Sequence, residues 1–247
     1  MKSIWKLTLR VSLYLLILLA GSFTTFAQRQ TSQDSLAAPI PSMHLPTLDK
    51  QQKFRASIGL SMVKPPKDMV ETAIQAPLFN LHAMWKLPWR LSLEGDFSSL
   101  IVSNQISIGP RIGFGKNNLG MKIGLDIAYV AGRLKQFGFD NTTKAWIDYP
   151  NISGSYQWKQ MAFTLKGEVI IVSSVTTKTG ENQLSSNTNF HNGYSGAFYI
   201  EQRLHQNKVF IIGFKDSYVK YYWPTWMTFS TFNRFYHVPE LSFSWIF

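Results

Sequence analysis

The sequence lacks cysteine, has few charged residues and contains no long apolar run. Without cysteine there can be no disulfide, no cysteine-ligated zinc or iron–sulfur site, no thiol nucleophile and no lipid attachment through a thiol. Only 16% of the 247 residues are charged, whereas soluble domains have about 25%. A mean hydropathy of −0.07 with so little charge excludes both a disordered chain and a bundle of membrane helices.

A secretory signal is predicted at residues 1–27. Three basic residues precede an apolar run over residues 11–20, and the small residues Thr25 and Ala27 predict cleavage between Ala27 and Gln28. The run is about half as long as a membrane-anchoring helix requires. Loss of this signal would lower the formal charge from +11 to about +8.

The following segment, residues 28–53, is polar and contains three spaced prolines, so neither a helix nor a strand can extend far. We expect an extended periplasmic arm that serves as a tether. The alternative is that Met43, Leu45 and Leu48 anchor a partner protein to the arm.

From residue 54 to residue 247, apolar and polar residues alternate with a period of two. The clearest segment begins at Leu119, with apolar residues on one face and Lys122 and Asp126 on the other. Ten such segments are joined by short turns near 87–88, 116–117, 159–160 and 206–207 and by longer connections at 63–76, 98–104, 132–145, 174–190 and 223–237. This pattern predicts an all-β fold, a closed antiparallel transmembrane β-barrel of ten strands, with eight or twelve as the alternatives.

The polar face of the predicted strands suits a narrow lumen, because it consists of small residues and opposite charges. Ten residues form the predicted lumen charge network: Arg90, Glu94, Asp96, Arg111, Lys122, Asp126, Lys166, Glu168, Glu201 and Arg203. Aromatic residues at strand ends and the scarcity of charge on the apolar faces favour lipid on the outside. In a barrel of this size side chains fill most of the interior, so no wide aqueous pore is expected.

The last seven residues have apolar side chains at every second position (Leu241, Phe243, Trp245 and Phe247) and end in phenylalanine. They resemble the C-terminal signature of bacterial outer-membrane β-barrel proteins. The resemblance implies a porin-like protein of the Gram-negative outer membrane, whose last strand, through Trp245 and Phe247, is recognised by the barrel-assembly machinery. The arm and the C-terminus would then be periplasmic, and the longer loops would face the cell exterior. Pro239 predicts that strand pairing begins after it.

The sequence indicates no catalytic, metal or cofactor site. The Asp-x-His of an outer-membrane protease and the His-x-Ser of a lipid A deacylase are both absent, and the histidines are isolated. His191 and Ser195 are expected on the same face of one strand, but about 13 Å apart, too far for a nucleophile and its base. An exported barrel does not meet nucleic acid, so outer-membrane lipid and lipopolysaccharide phosphates are the expected partners of the excess positive charge.

The segment 221–236 is dominated by aromatic side chains on the predicted exterior side. This outer aromatic loop contains Tyr222, Trp223, Trp226, Phe229, Phe232 and Phe235. It either extends the outer girdle, folds over the mouth of the barrel as a lid, or docks on a partner protein or glycan.

The leading functional prediction is a non-enzymatic membrane-embedded subunit or binding protein, with the arm and the loop as contact surfaces. The alternative is a narrow channel or transporter for a small or hydrophobic solute. An outer-membrane enzyme acting on lipid or peptide is the third possibility.

Overall fold

The computed structural model describes residues 42–44, 53–64, 76–116, 118–135, 140–180, 182–204, 208–225 and 234–247. All of them belong to one compact unit, Pro39–Phe247. The predicted secretory signal lies outside the described residues, as do Trp226, Phe229 and Phe232 of the outer aromatic loop.

Ten antiparallel strands follow one another around a closed barrel, and β1 closes it by pairing with β10. The strands are β1 (Phe54–Val63), β2 (Ala76–Lys86), β3 (Leu91–Ser99), β4 (Ser103–Lys116), β5 (Leu119–Leu134), β6 (Asn141–Trp158), β7 (Met161–Thr179), β8 (Asn182–Arg203), β9 (Val209–Val219) and β10 (Tyr236–Ile246). A single 3-10 turn, Trp223–Thr225, follows β9. The predicted all-β closed barrel of ten strands is confirmed. No helix in the described part of the chain is long and apolar enough to cross a membrane.

Burial along each strand follows the predicted alternation, with polar side chains inside. On β5, Lys122 and Asp126 point inward and are only 2% and 4% exposed, whereas Ile123 between them is 46% exposed. The barrel therefore buries its polar face and presents its apolar face outward, the reverse of a soluble barrel.

The strands β6, β7 and β8 are longer than predicted, with 18, 19 and 22 residues, whereas about 9–11 residues cross a bilayer. The predicted loops at 132–145 and 174–190 are therefore wrong. Strand pairing leaves only residues 135–140 and 180–181 as connections, and the predicted loop at 98–104 shrinks to residues 100–102. Polar residues such as Thr143 and Thr177 still pair through the backbone, so the polarity of these segments had been mistaken for an absence of strand.

Two further predictions about strand starts are corrected. Arg90 was expected on the inward face of a strand, but Trp89 and Arg90 both lie in a turn with φ angles of 67° and 63°. Two consecutive left-handed residues match the twist of a tight hairpin, and they leave Arg90 exposed outside the strand. Pro239 pairs with Asp216 within β10, so pairing begins before it rather than after it.

Candidate functional site

The part of the lumen nearer the short turns contains a buried network of ion pairs between residues of β3, β4 and β5, which we call the lower network. Glu94, 1% exposed, binds Arg111 at 2.5 Å and Lys122 at 2.8 Å through its two oxygens. Arg111 also binds Asp126 at 2.7 Å, and the Asn151 side chain donates to the same carboxylate at 2.9 Å. These residues lie on inward positions of neighbouring strands, so strand register alone brings the predicted charges together.

Asp96 has a partner that the sequence did not indicate. Its carboxylate binds Nδ1 of His82, which lies directly opposite on β2. The other ring nitrogen of His82 is 3.6 Å from Glu94, so this histidine joins the lower network. Only the strand register could have identified it, because no other histidine or acidic residue stands near it in the sequence. Arg90, predicted in the same charge network, is not in the lumen.

A second network lies further from the short turns, towards the long hairpins that β5 forms with β6 and β7 with β8. Glu168 forms ion pairs with Lys166 and Lys215, the latter at 2.8 Å, and accepts a hydrogen bond from Ser195 at 2.7 Å. Lys215 was missed because β9 is apolar on both faces at its start, which obscured its register.

His191 and Ser195, the best candidates for a catalytic pair, do not come together. Ser195 is buried on the inside, whereas His191 is exposed and contacts Tyr194 and Phe235. The prediction that His191 and Ser195 share a face is wrong, because an irregularity in the β7–β8 ladder shifts the alternation between them.

The N-terminal arm enters the lumen. Met43 is completely buried among apolar residues at the short-turn end: Met84, Ala162, Val209, Ile211 and Ile246. The three described arm residues, 42–44, therefore lie inside the barrel rather than in the periplasm as an extended tether. Met43, proposed as an anchor for a partner, is anchored in its own barrel.

Charged lumen residues hold the arm through its backbone. The amides of Met43 and His44 both donate to Glu201 at 3.2 Å, and Lys122 donates to the Met43 carbonyl at 2.8 Å. Arg55 donates to the Ser42 carbonyl at 2.6 Å. Glu201, predicted in the lumen charge network, thus binds the arm, and backbone polar groups satisfy charges that would be costly to bury alone.

The imidazole of His44 adds a stacking contact. Its ring lies parallel to that of Tyr199, with centroids 4.2 Å apart and an interplanar angle of 19°. Its Nε2 is 3.9 Å from Glu201, and its carbonyl accepts a hydrogen bond from Ser155 at 3.4 Å. The arm therefore contacts several sides of the barrel wall and forms a plug.

The opposite end of the lumen is closed by the chain that follows β9. Tyr221 and Trp223 turn inward and pack against aliphatic side chains from the strands around them: Val63, Leu78, Ala128, Val130, Ala145, Ile147, Ile170, Val172, Val175, Val219 and Val238. Asn192 fixes this turn by donating to the Tyr221 carbonyl at 2.8 Å and accepting from its amide at 2.9 Å. Burial raises the pKa of Tyr222 well above its usual range, so this phenol stays neutral.

The predicted outer aromatic loop therefore has two roles in its described part. Tyr222 and Trp223 belong to the lid that closes the mouth. Phe235 instead stacks on Tyr218 at 5.0 Å and lies under the ammonium of Lys220 at 4.9 Å, among residues whose side chains face outward.

A cavity of about 230 Å³ lies between the arm plug and the lid. Its wall combines apolar and polar surface and carries both signs of charge; its polar residues include Asn80, Gln105, Tyr149, Lys166, Glu168, Lys215 and Glu240. Among the described residues no group of three or more histidine, aspartate or glutamate side chains is placed to hold a metal ion.

The remaining predicted residues lie at the short-turn end. Arg203 is the last residue of β8, partly buried. Trp245 and Phe247 are 48% and 77% exposed at the end of β10, and Trp245 packs against Phe210 with ring centroids 4.9 Å apart. Their role as an assembly signal stays a prediction.

No protein-family model matches the chain, and no curated protein is significantly similar to it. Among solved structures, the outer membrane protease OmpT from Escherichia coli is similar over 81% of this chain and 97% of its own, with 11% identity and a TM-score of 0.43. Neisserial surface protein A is similar over 79% and 96%, with 12% identity and a TM-score of 0.36. The attachment invasion locus protein Ail of Yersinia pestis is similar over 78% and 97%, with 12% identity and a TM-score of 0.29. At these identities and scores, the assignment of this chain as a closed antiparallel barrel rests on its own strand pairing.

Proposed function

We propose that this protein is a non-enzymatic outer-membrane barrel that acts as a membrane-embedded subunit or binding protein through its surfaces, and not as an open pore. The observation that carries this proposal is that segments outside the strands occupy both ends of the lumen. Residues 42–44 fill one end and Tyr221 and Trp223 fill the other.

The exterior supports placement in a membrane. Aromatic side chains lie outward near both ends of the strands; on β6 these are Trp158 at the short-turn end and Trp146 towards the long hairpin. The twelve-residue separation, at about 3.3 Å per residue and a tilt of about 40°, places the two indoles roughly 30 Å apart along the barrel axis. This matches the hydrophobic thickness of a bilayer. Under this proposal the short turns, the end of the lumen that holds residues 42–44 and the C-terminus face the periplasm.

The closed lumen argues against constitutive transport. A cavity of about 230 Å³ holds roughly eight water molecules at about 30 Å³ each, and its charges already neutralise one another. A permeating solute would have to displace Met43 at one end and Trp223 at the other, each of which is packed among apolar side chains. Function therefore belongs to the outer surfaces.

Two experiments test this proposal together. In planar bilayers, the purified full chain should give no discrete current steps, and in gentle detergent it should copurify with a stoichiometric partner from its native membrane. Step conductances in the unaltered chain would contradict the closed lumen. A lone monomer in every native preparation would contradict the subunit reading.

A gated narrow channel is the second candidate, and one observation favours it. The plug is a chain segment held largely by backbone hydrogen bonds to Glu201, Lys122 and Arg55, so it could leave without breaking a strand. Removing both obstructions, by deleting residues 42–44 and replacing Trp223 with alanine, should then produce current steps, and Arg111→Ala should alter their size. A silent combined variant that is still folded would remove this candidate. The separation of His191 and Ser195 on opposite faces leaves the enzyme reading without a supporting observation.

A further inference from the structure

Three basic residues form an outward-facing cluster at the long-hairpin end. They lie beyond the outward aromatic side chains that include Tyr129 and Trp146, which we call the aromatic belt. Arg133 lies on β5, Lys144 on β6 and Lys178 on β7, and all three side chains are exposed. Strand register brings them together, because Arg133 and Lys178 both lie opposite Thr142, while Lys144 lies two residues nearer the belt. Their proximity therefore follows from backbone pairing and not from the conformation of a loop.

The spacing of the three basic residues suits the binding of an anionic group that has several phosphate oxygens. Neighbouring strands are about 4.8 Å apart, so the Arg133 and Lys178 backbones are roughly 10 Å apart, and each is roughly 8 Å from that of Lys144. Long side chains can converge across such distances on one anionic group. Within the described part of the chain, none of the three forms an ion pair with a carboxylate, so the cluster is an uncompensated positive patch.

The surface below the cluster changes from aromatic to aliphatic. Tyr129 and Trp146 pack together with ring centroids 4.9 Å apart, and Trp146 lies two residues from Lys144 along β6, on the side away from the long-hairpin end. Further along β5, Ile127, Leu125 and Ile123 are each more than 40% exposed on the same face. Positive charge, aromatic rings and aliphatic surface thus follow one another in the order of phosphate, headgroup and acyl chain in a lipid.

We infer that Arg133, Lys144 and Lys178 form a binding site for the phosphorylated headgroup of an outer-leaflet glycolipid, whose acyl chains lie along β5 below Tyr129. This inference rests on the proposed membrane placement, because only that placement puts the cluster at the level of the outer-leaflet headgroups. Each cation at a membrane surface contributes about one kcal/mol to attraction of anionic lipid, so loss of all three should weaken binding on the order of a hundredfold.

Binding to lipid A in detergent micelles tests the site. The full-length mature chain is titrated with lipid A carrying two phosphates, with its monophosphorylated form, and with inorganic phosphate, and bound lipid is counted by native mass spectrometry. The triple variant Arg133→Ala, Lys144→Ala, Lys178→Ala removes the cluster. A matched triple variant, Arg90→Ala, Lys116→Ala, Lys159→Ala, removes the same charge from exposed positions at the short-turn end.

We expect the cluster variant to bind bisphosphorylated lipid A about a hundredfold more weakly, and the matched variant to change binding by less than about threefold. The charge-retaining variant Arg133→Lys, Lys144→Arg, Lys178→Arg should bind like the parent, which separates loss of charge from misfolding. Monophosphorylated lipid should bind more weakly, and inorganic phosphate should not compete at equal concentration. Equal losses in both alanine variants, or binding indifferent to phosphate number, would overturn the inference.

The failure of this site is distinguishable from failure of the proposed function. A barrel inserted in a bilayer migrates on a denaturing gel at a different position before and after boiling, and this shift does not depend on lipid A. Insertion without selective lipid binding rejects only the headgroup site. A chain that does not insert rejects the membrane placement itself.

Discussion

Replacing Glu94 with glutamine should destabilise the barrel strongly, because this carboxylate is the shared counter-ion of two buried cations. Glu94 is 1% exposed and lies 2.5 Å from Arg111 and 2.8 Å from Lys122. Glutamine keeps the shape but removes the charge, and Arg111 retains Asp126 while Lys122 loses its bonded carboxylate. Breaking a buried ion pair by removing one partner costs about 3–5 kcal/mol.

The free energy of unfolding is to be measured by urea titration of the protein refolded into lipid vesicles, followed by tryptophan fluorescence. The double variant Glu94→Gln, Lys122→Met restores charge balance and should recover more than half of the loss, since methionine needs no counter-ion. As a control, Lys135→Ala removes an exposed pair with Asp140 at 3.9 Å and should change stability by at most about 1 kcal/mol. A loss below about 1 kcal/mol for Glu94→Gln, or no recovery in the double variant, would refute the buried network.

Three further predictions concern the ladder, the lid and the exterior. Gly193→Ala should lower the unfolding free energy by about 1–3 kcal/mol, because Gly193 has a φ of 149° and a Cβ there would meet the β9 backbone; Gly154→Ala, whose Cβ meets nothing within 4 Å, should be neutral in the same urea titration. Trp223→Ala should lower the unfolding free energy by about 3–5 kcal/mol in the same titration, because this indole packs in the apolar lid. Leu125→Arg should cost about 2–4 kcal/mol in vesicles because it places a charge within the membrane band, whereas Ala131→Arg, beyond the aromatic belt, should cost less than half as much. Equal costs for these two arginine variants would contradict the proposed position of the membrane.

The strand count and the inward charges could be predicted from the sequence because both follow from a period of two. Once β3, β4 and β5 alternate, Glu94, Arg111, Lys122 and Asp126 have to point inward, and neighbouring strands bring them within bonding distance. A local pattern is sufficient here because the contacting residues lie on three consecutive strands.

The arm and the lid could not be predicted in the same way, because their contacts join residues distant in sequence. Met43 and Glu201 are 158 positions apart, and no periodic pattern connects them. Neither Met43 nor Glu201, taken alone in the sequence, indicates its partner. Arg90 was wrongly placed in the lumen for a different reason. The alternation pattern does not show that Trp89 and Arg90 form a turn with left-handed φ angles before β3 begins.

The central claim, that the apolar face of the barrel contacts lipid, is tested most directly by a nitroxide scan along β5. The chain has no cysteine, so single-cysteine variants at positions 119–134 can each be labelled at one site and measured in bilayers for collisions with oxygen and with a water-soluble nickel complex. Outward positions 121, 123, 125 and 127 should collide with oxygen and be shielded from nickel, inward positions should be shielded from both, and position 133 should be open to nickel. Nickel access at the outward positions between 121 and 127, or the absence of a two-residue period, would contradict the account.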